Sequence, residues 1–307
     1  MITTVCLNPA IDKSADVDQL QVGKVNRLKN TRMAIGGKGI NVAIVLGRLQ
    51  QDVSCVCAVG EADMPFFEQG MEQEELNFYA FQVPGSVRRN LKIVDVKGRT
   101  VTEFNEQGAQ VDQEAVDELT QVLLRQSRAS RYIALSGSLP PGCGADTYRN
   151  MMRRLPGKRW VVDTSGDALR SALLEKPFLI KPNLTELEEL AQTRLETPEA
   201  AKAAAVRLCG QGVAHVAVSM GEQGAILTDG SRTVFAPAVP VSAASTVGAG
   251  DAMLAGLLYG MSHGETPFEA LRYGTAAGSA CVQGGGVHAF SSQAFRALLS
   301  QVEIREL

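Results

Sequence analysis

The sequence predicts an α/β fold in which a mostly parallel sheet lies between two layers of helices and carries a small β-sheet lid. Three observations lead there. Short β-branched runs at residues 53–59, 132–135, 160–162 and 213–218 alternate with longer helical stretches. This βαβ rhythm gives parallel strands with ligands beyond their carboxyl ends. Two stretches, about 12–33 and 86–105, break the rhythm and carry few helical signals. The second passes through Asn90, Lys92, Val94 and Val96 to a turn at Lys97-Gly98-Arg99 and on to Val101, the pattern of extended strands outside the main sheet. Finally, no linker or low-complexity segment divides the 307 residues, so they read as one domain with the two stretches inserted as lid strands. A small sheet with one bare face is a pairing surface, which predicts a homodimer formed by two lids.

Individual elements follow in chain order. Met1 leads straight into a strand-like run, with no signal peptide. Ile40, Ala43, Ile44 and Gly47 recur at helical spacing and predict a helix with a buried stripe. Thr197-Pro198-Glu199 starts another: a capping hydroxyl, proline in the first turn, and an acid at the positive end of the dipole. The apolar run 253–259 is a helix entered from a glycine-rich turn.

Composition narrows the function classes. With 45% hydrophobic and 21% charged residues the chain is an ordinary globular protein. A net charge of -3 gives no electrostatic reason to bind nucleic acid or an anionic membrane, so a site for a polyanion must be a local pocket. No apolar stretch reaches the ~20 residues of a membrane span. The six cysteines, at 6, 55, 57, 143, 209 and 281, lack zinc-site spacing and read as buried thiols, which fits a cytoplasmic protein. His215, His263 and His288 have no sequence partners that suggest a triad or a metal site and read as packing or surface residues.

Four constellations could carry chemistry. In Ser245-Thr246-Val247-Gly248-Ala249-Gly250-Asp251 a loop enters a helix. Small residues at Gly248, Ala249 and Gly250 let the first helical N–H groups approach an anion, and Asp251 is a carboxylate beside them. Asp251 reads equally well as a simple cap, and a helix N-terminus should lower its pKa. In Gly36-Gly37-Lys38-Gly39-Ile40-Asn41 a second glycine loop opens a helix. It lacks the Ser or Thr of a Walker loop, so it is assigned to a sugar, with Lys38 and Asn41 as donors, against the alternative of a plain tight turn. Lys181-Pro182-Asn183-Leu184-Thr185-Glu186 ends a strand and starts a helix. Asn183 and Glu186 form either a capping box or an amide and acid that orient magnesium through its waters. Arg88, Asn90 and Lys92 share one strand face, either as a phosphate clamp or as a solvated edge.

In order and spacing these motifs resemble the PfkB branch of the ribokinase-like carbohydrate kinases over nearly the whole chain. Leu7-Asn8-Pro9-Ala10-Ile11-Asp12, Ser136-Gly137-Ser138-Leu139-Pro140-Pro141-Gly142 and Val218-Ser219-Met220-Gly221 add to the likeness. The resemblance implies a ribokinase-like three-layer α/β/α core with a β-sheet lid, and ATP with Mg²⁺ as cofactors. In this family pattern Asp251 is the base for a sugar hydroxyl, and Gly248, Ala249 and Gly250 hold the moving phosphoryl group. Asp12, Asn41 and the Gly36-Gly37 turn would contact the sugar. Arg88, with Asn90, Lys38 and Ser138, would hold a substrate phosphate. Lys181, Asn183, Ser219, Gly221 and Thr246 would line the ATP site, and Glu186 would organise Mg²⁺. A monovalent cation near Ser245 and Gly286, and a reach of Lys24 into a partner's site, are also family traits. Within the branch the motifs look most like a 1-phosphofructokinase acting on fructose 1-phosphate, ahead of tagatose-6-phosphate kinase and 6-phosphofructokinase. A non-catalytic sugar or nucleotide sensor on the same fold is the contrasting class. One departure is Val87, where relatives commonly place a threonine.

Overall fold

The computed structural model describes residues 1–307. Its strands are β1 (Ile2–Cys6), β2 (Ala10–Val17), β3 (Lys29–Gly36), β4 (Val53–Gly60), β5 (Asn77–Val83), β6 (Arg88–Asp95), β7 (Thr100–Asn105), β8 (Tyr132–Ser136), β9 (Arg159–Asp163), β10 (Leu179–Ile180), β11 (Val216–Ser219), β12 (Ala225–Thr228), β13 (Thr233–Ala236) and β14 (Arg305–Glu306). The helices are α1 (Lys38–Arg48), α2 (Met64–Gln73), α3 (Gln113–Gln126), α4 (Thr147–Arg154), α5 (Gly166–Leu173), α6 (Leu184–Ala191), α7 (Pro198–Gly210), α8 (Ala249–Ser262), α9 (Pro267–Gly284) and α10 (Ser292–Leu299).

The main sheet has ten strands in the order β14-β13-β12-β11-β10-β9-β8-β1-β4-β5. From β5 to β11 the neighbours pair in parallel, and β12, β13 and β14 add an antiparallel edge. The parallel part is the predicted βαβ rhythm. The antiparallel edge follows from the short connections between β11, β12 and β13, which leave no room for a crossover helix.

Strand alternation sorts the core into two layers. Val53, Cys55, Cys57 and Val59 of β4 face a cluster built with α1, α2, α8, α9 and α10, while Val56 and Ala58 face one built with α3 to α7. That is the period-two rule for a sheet covered on both sides. The predicted stripe Ile40, Ala43 and Ile44 is buried, and a full Leu- or Ile-sized burial contributes about 2 kcal/mol. Thr197 caps α7 as expected, accepting the Ala200 N–H. The cysteines are free thiols: Cys6, Cys55, Cys57 and Cys281 are buried, Cys143 and Cys209 half-buried. No helix is long and apolar enough to cross a membrane.

The second sheet has four strands, β3-β2-β6-β7. Each interruption of the rhythm supplies a pair: β2 and β3 antiparallel, β6 and β7 antiparallel, with β2 and β6 parallel between them. The Asp95 carboxylate accepts the Gly98 and Leu20 amides, fixing the turn at 97–99 and pinning the segment after β2 over Ala15, Val17 and Ile93. Met33, Val96, Val101 and Phe104 remain exposed on this sheet, with Val22 and Val25 beside it.

Candidate active site

Four neighbouring strands in the middle of the main sheet, β10, β9, β8 and β1, deliver Lys181, Asp163, Ser138 and Asn8 at or just past their carboxyl ends. That edge is where an α/β sheet offers a crevice. The glycine turns before α1 and α8 lie at the same edge.

α8 is a buried, almost wholly apolar helix, so it holds Asp251 rigidly. Gly248 sits at its N-cap with φ 78°, a left-handed conformation that disfavours a side chain. The N–H groups of Gly248, Gly250 and Asp251 have no partner within the protein, whereas that of Ala249 donates to the Thr246 carbonyl at 3.3 Å. Of the expected trio, Ala249 thus spends its N–H within the turn, and Asp251 adds a free one. Asp251 does not cap the helix. Its Oδ2 accepts from Asn41 Nδ2 of α1 at 2.7 Å, joining the two glycine loops through one bond.

The expected lowering of the Asp251 pKa is reversed. Burial pushes it up to about 6, aided by the Asp163 carboxylate and opposed by Lys38, Asn41 and Lys181. The helix N-terminus loses to desolvation because Asp251 is only 7% exposed. A carboxylate of this kind is ionised at neutral pH, yet it is a stronger base than a surface aspartate.

Asp163 is the residue that sequence reasoning missed. Its side chain is fully buried, with Oδ1 3.2 Å from Lys38 Nζ and 3.5 Å from Lys181 Nζ, and its Oδ2 has no protein partner. Burial draws the Lys38 ammonium pKa down, but Asp163, Glu186 and Asp251 outweigh that and hold it above its ordinary value. Lys181 Nζ also lies 3.4 Å from where a side chain on Gly250 would begin, so this ammonium flanks the anion turn. A chain of alternating charges thus runs beneath the turn.

Asn183 and Glu186 do form the capping box. Asn183 Oδ1 accepts the Glu186 N–H at 2.8 Å, and Glu186 Oε2 accepts the Asn183 N–H at 2.9 Å. The other oxygen, Oε1, stands 3.8 Å from Lys38 Nζ. The cap and the site share one carboxylate. Ser219 lies alongside Asn183 through a single β-bridge, Gly221 has φ 58° with open space around it, and Thr246 is exposed at the rim.

The lid closes the other side. Asn90 Nδ2 donates to Asp12 Oδ1 at 2.7 Å, and Asp12 Oδ2 lies 2.2 Å from where a side chain on Gly36 would begin, so Gly36 is needed to seat it. Gly37 is the N-cap of α1. Arg88 Nε donates to the Asn8 carbonyl at 3.2 Å, and Asn8 Nδ2 donates to Ser138 Oγ at 3.1 Å. Asn8, Arg88, Glu106, Gln107 and Ser138 line a cavity of about 340 Å³. Two members of the expected clamp lie elsewhere: Lys38 turns to Asp163, and Lys92 pairs with Glu103 at 3.3 Å on a partly solvated edge. The Asn8 signal was its place two residues beyond a strand end.

The chain is similar to known proteins over nearly its whole length. The pattern of the pfkB family carbohydrate kinases matches residues 5–294. The 1-phosphofructokinase of Rhodobacter capsulatus is 37% identical over 313 residues, covering 100% of this chain and 98% of its own. That of Escherichia coli K12 is 32% identical over 306 residues, covering 99% and 98%. Among solved structures, phosphofructokinase-2 from Escherichia coli in complex with potassium superimposes with a TM-score of 0.92 at 27% identity, covering 98% of each chain. The same enzyme in its tetrameric inhibited form gives 0.90. A buried aspartate behind an amide-lined turn, opposite a lidded polar crevice, is the equipment of a phosphotransferase with an alcohol acceptor, and the chain belongs to the pfkB family of carbohydrate kinases.

Proposed function

We propose that the protein transfers the γ-phosphoryl group of ATP to the 6-hydroxyl of fructose 1-phosphate, giving fructose 1,6-bisphosphate. The observation that carries this reading is Asp251: buried, uncapped, bonded to Asn41 of the acceptor-side loop and next to free N–H donors. The acceptor hydroxyl loses its proton to the Asp251 carboxylate as its oxygen bonds to phosphorus. The bond from phosphorus to the leaving diphosphate oxygen breaks, and the amides of Gly248, Gly250 and Asp251 face the equatorial oxygens. Transfer of this kind asks the protein for position and charge rather than for covalent chemistry.

The acceptor's own phosphate fits the cavity at Arg88, Asn8 and Ser138, with Asp12, Asn90 and Asn41 available for hydroxyls. On the donor side Lys181, Asn183, Ser219, Gly221 and Thr246 bound the nucleotide region. Magnesium suits the hard oxygen donors present: Glu186 Oε1 and the unpartnered Asp163 Oδ2 would hold it, through water, and when bound it offsets phosphate charge. No cluster of three ligating side chains is present, so much of the ion's shell comes from water and phosphate. The potassium bound by a solved relative supports a monovalent cation beside Ser245 and Gly286 here. The bare apolar side chains Met33 and Phe104, which the register Met33–Lys13–Leu91–Phe104 puts on one face of the lid, support pairing of two lids, and the whole chain acts as one cytoplasmic catalytic unit.

The test is ATP consumption with magnesium against fructose 1-phosphate, fructose 6-phosphate, tagatose 6-phosphate and their unphosphorylated parents. Preference for fructose 1-phosphate is expected. Equal turnover of an unphosphorylated parent would rule out the phosphate cavity, and binding without turnover would make the chain a sensor.

A further inference from the structure

His288 reads in the sequence as a packing residue, but the fold gives its ring two specific partners. It lies in the short turn Val287–Ala289 after α9. Nδ1 is 2.9 Å from Glu74 Oε1, and Nε2 is 2.8 Å from the carbonyl oxygen of Ile35. The ring is thus held between a carboxylate on one side and a backbone carbonyl on the other, two acceptors that fix its orientation. The far side of the Glu74 carboxylate is gripped by Arg48, with contacts of 2.9, 3.0 and 3.1 Å, and Arg48 in turn donates to the Phe290 carbonyl at 3.3 Å. The ends of α1 and α2 and the 288–290 segment therefore clamp the ring in one orientation.

Its target matters more than its anchor. Ile35 is followed by Gly36, whose α-carbon seats Asp12, and by the turn into α1. Because the peptide unit is planar, fixing the Ile35 carbonyl fixes the Gly36 amide and the direction in which the turn departs. The preceding residue, Val287, touches the other loop: its Cγ1 lies 2.7 Å from where a side chain on Gly248 would begin. Cys281 of α9 also donates to the Val247 carbonyl at 3.6 Å. Two consecutive residues thus hold the two glycine turns, one each.

We propose that His288 is a positioning residue that sets the acceptor-binding turn at residues 35–38 in register with the phosphoryl-binding turn before α8. This rests on the reading of the first turn as the acceptor side. In the full chain, with whichever phosphosugar the wild-type protein turns over best, His288→Ala is expected to raise the KM for the sugar about tenfold. The KM for ATP should stay within about twofold, because the donor-side contacts are untouched. Added imidazole, able to enter the vacated and partly exposed site, should restore the sugar KM of the variant and leave the wild type unchanged. Glu74→Gln keeps the ring and removes the carboxylate that orients it, so a smaller rise confined to the sugar KM is expected even if the alanine variant folds poorly. Amide hydrogen exchange needs no turnover and should quicken at residues 35–41 in both variants.

An unchanged sugar KM with wild-type exchange at 35–41 would overturn the role of His288 while leaving the kinase reading intact. An equal rise in both KM values would reduce it to general packing. Absence of phosphosugar turnover in the wild type would instead remove the kinase reading, and the exchange measurement would still decide whether His288 orders the loop.

Discussion

Asp251 and Glu186 occupy the same local address, the third residue of a helix entered from the active-site edge, yet they meet opposite fates. At α6 the N-cap is Asn183, whose side chain reciprocates, so Glu186 closes a capping box and remains near the surface. At α8 the N-cap is Gly248, which has no side chain to offer. Asp251 is left uncapped, is buried against Asn41 within reach of the Asp163 charge, and its pKa is pushed up to about 6. The identity of one N-cap residue thus decides whether the acid three positions on is tied to its helix end or left to turn inward. The difference also explains why Glu186 has one oxygen in the cap and one outside it, while Asp251 spends a single bond on Asn41 of α1.

The hardest way to break this contrast is Asp251→Asn. Loss of the base should lower kcat about 10³-fold without a matching rise in the KM for ATP. Stability should move the other way. The folded carboxyl pKa, about 6, lies above its unfolded value of 3.8, so its stabilising contribution is complete below about 4 and lost as pH rises through about 6. The asparagine variant lacks that loss and should be more stable than wild type by up to about 3 kcal/mol above pH 6, and by little below pH 4. Chemical denaturation at pH 7 and pH 4 measures both arms. The wild-type kcat/KM should fall on the acid side near pH 6, since the base must be ionised.

Asp251, Asn41, Arg88 and Ser138 stood out in the sequence because each lies in or beside a segment whose glycines, prolines or alternation mark it. Asp163 was not. It ends the ordinary strand Arg159–Asp163, and nothing local separates it from a solvated turn aspartate. Its meaning appears only when β9 is set between β8 and β10 and two lysines from distant segments converge on it. The same limit misled the reading of Lys38, whose partner lies 125 residues away, and of His288, whose partners Glu74 and Ile35 are 214 and 253 residues distant. For Asp251 the error was one of weight: the helix dipole is visible in the sequence, and burial, which overrules it, is not. Parallel strands, both helix layers and the lid came from periodicity, whereas the antiparallel edge β12 to β14 left too short a pattern to read.

Asp163→Asn tests whether the hidden carboxylate holds the two ammonium groups. Removing one partner from a buried ion pair costs about 3–5 kcal/mol, so a large drop in denaturation midpoint is expected. A second effect is independent of stability. Asp163 is one cause of the raised Asp251 pKa, so its neutralisation should move the acid limb of the rate profile below about 6 in the protein that remains folded. A midpoint loss with an unmoved limb would show that the charge of Asp163 is not felt at Asp251.

The smallest change gives the sharpest division between cap and site. Glutamine is accepted at the third position of a capping box, so Glu186→Gln keeps the bond to the Asn183 amide and loses only the charge and its dipole interaction, about 0.5 kcal/mol. If Glu186 were only a cap, kinetics would be as modestly affected as stability. If its free Oε1 helps to hold magnesium, the metal concentration for half-maximal rate should rise about tenfold while the melting temperature scarcely moves. The two measurements separate because the capping bond and the free oxygen belong to different atoms of one carboxylate: the amide of glutamine can turn its oxygen to Asn183, and then it must present its NH₂ to the cation.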